Sequence, residues 1–397
     1  MSKATIDDID VAGRRVLLRV DYNVPLRDGT IADDSRIRAT LPTITALRER
    51  GARTIIVTHV GRPEGTRDPA LSVAPVARRL GELLGIEVAV AGDVVGPSAR
   101  ALVDSLRDGE VGMLENVRFE PGEETNDPDL AAKLASFADL FVNDAFGTAH
   151  RAHASTEGVA HHLPAVAGYL MARELDVLGT VLDNPRRPLV AILGGAKIST
   201  KLGVLTHLLE RVDTIFLGGA MACTFYRAKG VSTGRSVVEE EQVAVARDVL
   251  ASAAARRTLV LPVDVVVAEQ ADDGAATETV AWNAIPDDRM VVDVGPRSVA
   301  AITASFTDAG TVVWNGPLGV YEVDAFARGT REVARALGDS PAFSVIGGGD
   351  VGAAVADAGV ADMIDFISTG GGATLEFLEG KELPGVAALR DREAVPG

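Results

Sequence analysis

Arginine and histidine recur at four places in the first half of the chain, each just after a run of apolar, mostly β-branched residues. The first run ends in Arg19-Val20-Asp21-Tyr22-Asn23-Val24-Pro25, with Arg36 and Arg38 a short turn later, and the second ends in Thr58-His59-Val60-Gly61-Arg62-Pro63. Glu115-Asn116-Val117-Arg118-Phe119 follows a third, and Asn143-Asp144 leads from a fourth to His150-Arg151-Ala152-His153. Five of the six histidines precede residue 165, which adds to the cationic character of these turns. Guanidinium forks match carboxylate and phosphate oxygens two at a time, so convergence of these turns would make a pocket for a small, multiply charged anion. His150-x-x-His153 has no carboxylate at zincin spacing and no cysteine beside it, which argues against a metal pair.

The second half uses different groups. Lysine is scarce, six residues in all, yet Lys197 and Lys201 stand together in Gly194-Gly195-Ala196-Lys197-Ile198-Ser199-Thr200-Lys201. This segment follows a strand-like run and opens a helical one, where spacing of four predicts both ammonium groups on one face of the first turns. Cations are disfavoured at a helix N-terminus, so two of them there imply an anion between them. Glycine-rich turns recur at Gly218-Gly219-Ala220, Gly347-Gly348-Gly349-Asp350 and Ser368-Thr369-Gly370-Gly371-Gly372, where bare backbone amides can approach phosphate oxygens. Asp350 could hold a metal ion associated with those phosphates. In Trp314-Asn315-Gly316-Pro317-Leu318-Gly319-Val320-Tyr321-Glu322, the glutamate could accept from a ribose while Pro317 and Leu318 pack on a base. A Walker A motif is absent. Gly347-x-Gly349-x-x-Gly352 has the dinucleotide spacing but no well-placed acidic residue about 20 positions on.

These residues need a scaffold that gathers strand ends. Strand-like runs occupy 15–20, 53–58, 86–90, 140–143, 189–193, 214–217, 290–294, 311–314 and 343–346, and helical periodicity lies between them at 41–50, 73–84, 201–211 and 239–254. That alternation predicts α/β architecture with parallel sheets, whose ligands bind at the carboxyl ends of the strands. Residues 164–182 read as a long helix, followed by the breaker-rich Asp183-Asn184-Pro185-Arg186-Arg187-Pro188, which is either a hinge or an ordinary surface loop. Composition excludes several classes. With 39 basic and 56 acidic side chains the net charge is 39 − 56 = −17, which is wrong for a nucleic-acid coat. The lone Cys223 can form neither an internal disulfide nor a zinc cluster, and no apolar run approaches a membrane span. The N-terminus has no signal-peptide pattern, so a soluble, cytoplasmic protein is expected.

As a set, the motifs at 19–25, 59–63, 114–119, 143–153, 194–201, 218–225, 314–322, 347–350 and 368–385 resemble the phosphoglycerate kinase family, in its order and over essentially the whole chain. The resemblance implies two doubly wound, Rossmann-like parallel-sheet domains joined by a central helix hinge, with a cleft between them. Expected boundaries are a glycerate-phosphate-binding domain at 1–165, the helix and hinge at 166–185, a nucleotide-binding domain at 186–382 and a segment at 383–397 returning to the first domain. The implied reaction is reversible phosphoryl transfer between 1,3-bisphosphoglycerate and MgADP, giving 3-phosphoglycerate and MgATP, by a monomer with Mg²⁺ as cofactor and no nucleic-acid or membrane partner. Carried over by motif, Asp21, Asn23, Arg36, His59, Arg62, Arg118 and Arg151 hold the glycerate ligand. Lys197, Lys201, Gly219, Asn315, Pro317, Glu322, Gly348, Gly349 and Asp350 hold the nucleotide, with Asp350 on the metal. Arg36, Lys197 and the amides of Gly371 and Gly372 neutralise the transferring group. Thr200 stands where the family usually has Asp, Val351 where it has Thr, Ala220 where it has a third Gly, and Asp287-Asp288-Arg289 where Asp-Gly-Trp is usual. These departures lead us to expect weakened nucleotide affinity. They also motivate the alternative of a catalytically silent relative that binds phosphoglycerate or nucleotide; a dehydrogenase using Gly347–Gly352 is the alternative from another enzyme class.

Overall fold

The apolar runs form two parallel sheets of six strands in the computed structural model, which describes residues 2–27, 30–252 and 255–392. The sheets belong to two units, one holding residues up to Asp176 together with the segment from Glu382, the other running from Val177 to Lys381. The division falls inside the helix Tyr169–Asp183.

In the first unit, β1 (Arg15–Arg19), β2 (Arg53–Val57), β3 (Ala89–Val90), β4 (Val111–Met113), β5 (Leu140–Asn143) and β6 (Ala165–Ala167) lie in the order β3-β4-β2-β1-β5-β6. The register sets Arg19 level with Val57 and Asn143, so the central strands end flush and their following loops share one edge. The helix Ser35–Glu49 buries Ile37, Thr40, Ile44 and Leu47, three and four residues apart, against Val16, Leu18 and Ile56. The helix Ala74–Leu84 adds Val76 and Leu80 and stops at Gly85, whose φ of +65° is the left-handed terminator that glycine favours.

In the second unit, β7 (Leu189–Leu193), β8 (Thr214–Leu217) and β9 (Leu259–Val260) are followed by β10 (Asp264–Ala268), β11 (Thr277–Ala281) and β12 (Met290–Val294), then by β13 (Thr311–Asn315), β14 (Phe343–Gly347) and β15 (Phe366–Ile367). The parallel sheet has the order β9-β8-β7-β13-β14-β15, in which the direction of winding reverses between β7 and β13. Such a reversal splays the loops that follow the two strands and opens a crevice at their carboxyl ends. Trp314 is fully buried at the centre of this unit's core, among Ile192, Val312, Ile346 and Val351.

Several sequence expectations need correction. Met290–Val294 is a strand, but β10, β11 and β12 form a separate antiparallel sheet rather than joining the parallel one. The helix expected over 164–182 spans Tyr169–Asp183, because Ala165–Ala167 pairs with β5 as an edge strand. The helix read at 201–211 is Leu202–Leu209, and the stretch at 239–254 is a short 3-10 turn at Glu240–Gln242 followed by a helix at Val243–Ala251, with residues 253–254 outside the described ones. Among the described residues, no helix is long and apolar enough to cross a membrane.

Candidate active site

The first unit brings its arginines and histidines to the flush edge of β1, β2 and β5. Asp21, two residues past β1, receives Arg36 Nη1 at 2.5 Å on one oxygen, and its other oxygen lies 4.0 Å from His59 Nδ1. Asn23 Oδ1 accepts from the Gly61 amide at 2.9 Å, while Arg118 Nη1 donates to the Gly61 carbonyl at 2.8 Å, so the turn after β2 is held from both sides. Arg118 is buried and pairs with Glu124 at 3.2 Å. Arg151 donates through Nε to His150 Nε2 at 3.3 Å. Arg62 is exposed and bonds no other group among the described residues, leaving its whole fork available.

The electrostatics show that these groups share one neighbourhood. Burial pushes His59 well below the usual imidazole range, and the charges of Arg19, Arg118, Arg36 and His153 push it further. Burial together with Arg118, Arg19, Arg151 and His150 lowers His153 to about 4. Both rings are therefore neutral at pH 7, and the 4.0 Å approach of His59 to Asp21 is not an ion pair. The positive potential comes from guanidinium groups alone and suits an anion with more than one charge.

The second unit builds its site where its sheet reverses. Lys201 Nζ donates to Asn315 Oδ1 at 2.6 Å and to the Asn315 carbonyl at 3.0 Å, and Asn315 Nδ2 donates to the Gly347 carbonyl at 2.7 Å. The ends of β7, β13 and β14 are thus tied together. The two connections after β7 and β13 touch backbone to backbone: Gly195 N donates to the Pro317 carbonyl at 2.9 Å, and a Cβ on Gly194 would meet that carbonyl oxygen at 2.1 Å. Two cavities adjoin this contact. One, of 340 Å³, is lined by Gly219, Ala220, Val291, Val292, Pro317 and Leu318, largely apolar walls, together with the carboxylates of Asp293, Glu322 and Asp350. The other, of 430 Å³, is lined by Lys197, Thr200, Lys201, Asn315, Gly348, Gly349, Asp350, Val351 and Gly371. Asp350 borders both. A largely apolar cavity beside a space walled by glycines, lysines and one aspartate suits a nucleoside polyphosphate.

The donor set also decides what metal fits. Among the described residues there is no group of three His, Cys, Asp or Glu able to enclose an ion. A single exposed carboxylate on a cavity walled by glycines and lysines instead suits Mg²⁺, which keeps several waters and takes most of its ligands from substrate phosphates.

Of the residues expected to hold the nucleotide or the transferring group from this unit, Lys197, Lys201, Gly219, Asn315, Pro317, Glu322, Gly348, Gly349, Asp350 and Gly371 line these two cavities, while Gly372 lines neither and opens the helix Gly372–Leu378. Lys197 and Lys201 do not share a helical face, because the helix starts at Leu202 and Lys201 is its N-cap. Lys197 lies exposed in the preceding loop while Lys201 is buried, so the two ammonium groups occupy different environments. That loop is fixed by Glu239, which accepts from Ser199 N at 3.0 Å and Ser199 Oγ at 2.5 Å, and by Thr200, whose hydroxyl donates to the Lys197 carbonyl at 2.9 Å. Sequence reasoning missed Glu239, and nothing in its acidic surroundings distinguishes it. It also left Arg19, Glu123 and Ser155 unassigned, although a charged residue closing an apolar strand, as Arg19 does, is a readable signal.

Comparison with known proteins agrees with this geometry. The phosphoglycerate kinase family model matches residues 6–381. The chain is 55% identical to the phosphoglycerate kinase of Pelotomaculum thermopropionicum over 99% of this chain and 100% of that one, and 52% identical to that of Moorella thermoacetica with the same coverage. Among solved structures it is similar to phosphoglycerate kinase from Coxiella burnetii, with a TM-score of 0.88 at 41% identity and 97% and 98% of the two chains covered. The enzyme from Pyrococcus horikoshii gives 0.87 at 36% identity, with the same coverage.

Proposed function

Because this chain belongs to the phosphoglycerate kinase family and is a phosphotransferase acting on a carboxyl group, we propose that its guanidinium pocket holds 3-phosphoglycerate and its paired cavities hold the adenine nucleotide. The observation that carries this reading is the division of labour between the two units. Arginines surround neutral histidines in one, and a largely apolar cavity adjoins a glycine and lysine wall in the other.

On the acceptor side, Arg62, Arg118 and Arg151 take the phosphate, and Asp21, Asn23, Arg36 and His59 orient the glyceryl carboxylate and hydroxyl. On the donor side, Gly219, Pro317 and Glu322 hold the nucleoside, while Lys197, Lys201, Asn315, Gly348 and Gly349 hold the phosphates. Mg²⁺, bound to the nucleotide phosphates and Asp350, would neutralise part of their charge. In the ATP-consuming direction a carboxylate oxygen of 3-phosphoglycerate attacks the terminal phosphorus, the bond from that phosphorus to the bridging oxygen breaks, and ADP leaves. The attacking group is already ionised, so no side chain has to remove a proton. Catalysis is then alignment plus charge neutralisation. Arg36 supplies that neutralisation from the acceptor side, and Lys197 and the amides of Gly371 and Gly372 supply it from the donor side. The same proposal extends to action as a monomer in the cytoplasm.

A product-coupled assay of ATP consumption tests this. Turnover that requires 3-phosphoglycerate and Mg²⁺, and that collapses in both Arg36→Ala and Lys197→Ala, is expected. Turnover independent of 3-phosphoglycerate would reject the assignment of the guanidinium pocket.

A further inference from the structure

Arg19 closes β1 with its guanidinium buried, 1% exposed, and each of its three nitrogens has a partner within hydrogen-bond distance. Nε donates to Ser155 Oγ at 2.9 Å, Nη1 donates to the Val20 carbonyl, and Nη2 approaches His59 Nδ1 at 3.1 Å. A guanidinium has no acceptor and does not lose its proton in proteins, so the third contact has only one reading. His59 Nδ1 must present its lone pair, and the ring proton must sit on Nε2. Behind Arg19, Ser155 passes the interaction on. Its hydroxyl accepts from Arg19 and donates to Glu123 Oε1 at 2.6 Å, and its amide donates to Glu123 Oε2 at 2.9 Å. Glu123 is wholly buried and supplies the counter-charge that Arg19 requires there.

We propose that Arg19 is a positioning residue for the transfer reaction, fixing His59 as an Nε2–H donor toward the bound 3-phosphoglycerate while Ser155 and Glu123 hold Arg19 in place. The proposal rests on the acceptor-side reading given above. The tautomer matters because the pocket's charge comes from arginines, whereas an oriented neutral donor fixes direction without adding charge. With Nδ1 protonated instead, a lone pair at Nε2 would face an anion and repel it. The groups facing the His59 ring from the surrounding elements are Arg19, Asp21, Arg36, Arg118 and His153, and of these only the Arg19 contact fixes which nitrogen is protonated.

The test is a proton–nitrogen correlation spectrum of the full-length protein with ¹⁵N-labelled histidine, which distinguishes protonated from bare ring nitrogens. His59 is identified by the signal lost in His59→Gln. The wild-type spectrum should show His59 with a bare Nδ1 and a protonated Nε2, and adding 3-phosphoglycerate should shift the Nε2 signal. A wild-type ring protonated at Nδ1, or at both nitrogens, overturns the proposal without any variant. Arg19→Met should give mixed tautomers and raise the KM for 3-phosphoglycerate about tenfold, as for one hydrogen bond to a charged group, with the KM for MgATP unchanged. Ser155→Ala removes only the bridging hydroxyl, and it should loosen the tautomer should Arg19→Met fail to fold. A pure Nε2–H ring in every folded variant of the two overturns the role of Arg19. Turnover that ignores 3-phosphoglycerate would instead overturn the pocket assignment, leaving the measured tautomer as it stands.

Discussion

Lys201 places both of its described hydrogen bonds on Asn315, 2.6 Å to the side-chain oxygen and 3.0 Å to the carbonyl. One residue at the end of β13 thereby holds a buried cation beside the cavity proposed for the nucleotide phosphates. Burial lowers the Lys201 pKa to about 8, against a smaller opposing pull from Asp350.

Nucleotide phosphates favour the charged amine, so binding above pH 8 must be accompanied by proton uptake. ADP affinity should fall by up to about tenfold per pH unit from pH 8 upward. Calorimetric titration at pH 8.5 in two buffers of different ionisation enthalpy should register that uptake, and Lys201→Met should bind weakly and abolish it. Equal heats from the wild type in both buffers would exclude the coupling.

Gly316 has φ +86°, and a Cβ there would lie 2.2 Å from Lys201 Nζ and 2.3 Å from the Gly194 carbonyl oxygen. Gly316→Ala should cost about 1–2 kcal/mol in backbone strain and displace the ammonium. The KM for MgATP should rise at least tenfold while that for 3-phosphoglycerate stays put; steady-state kinetics in the ATP-consuming direction, with each substrate varied in turn, would separate the two.

Arg62 and Arg118 are assigned to the same ligand but differ in their surroundings. Arg62→Ala removes an exposed, unbonded side chain, so thermal and urea unfolding should change by less than about 0.5 kcal/mol while the KM for 3-phosphoglycerate rises. Arg118→Ala should raise the same KM and also destabilise by about 1–3 kcal/mol, because it removes a buried side chain and strands the half-buried Gly61 carbonyl that it holds. Equal losses of stability in the two variants would contradict the contrast.

Asp144 is buried at the start of the helix Tyr169–Asp183, where its Oδ1 accepts from Met171 N at 3.0 Å. Burial raises its pKa to about 7, against the backbone amides that pull it down. The folded state therefore holds this proton more tightly than the unfolded one. Its contribution is fully present below about pH 4 and is lost as the pH climbs to about 7, on the order of 1.4 kcal/mol per unit. Asp144→Asn should remove that slope, and urea unfolding at pH 5, 6, 7 and 8 should show the two curves diverging. Parallel curves would mean that Asp144 is ionised throughout.

Both sheets and most of the candidate site's residues were legible because the information is local. Val-, Ile- and Leu-rich runs give buried strands, and the Arg, His and Gly residues after them mark the strand edges where the candidate site lies. What escaped depends on partners far away in the chain. Thr277–Ala281 alternates weakly and becomes a strand only through Asp264–Ala268. Ala165–Ala167 has no strand-forming excess until Leu140–Asn143 lies beside it. Lys197 and Lys201 look equivalent at spacing four, and only the start of the helix at Leu202 and the reach of Asn315 make one exposed and the other buried. Ser155 and Glu123 are ordinary residues until Arg19 connects them.

The outer strand of the first sheet is covered by both extremities of the described chain. Ala167 N donates to the Ala4 carbonyl at 2.8 Å, Arg390 N donates to the Ala165 carbonyl at 3.0 Å, and Lys3 forms a bridge with Asp391. During synthesis, residues 177–381 must be made before Arg390 exists, a delay of roughly 10–40 s at ribosomal speeds. Through that interval the Ala165 end of the strand, not yet met by Arg390, offers unpaired backbone to any neighbouring nascent chain, and the unit Val177–Lys381, contiguous in sequence, is finished before Arg390 is added. A newly made molecule can thus have its donor site finished while its acceptor half still awaits its final segment, and aggregation during expression should respond to the rate at which the last residues are translated.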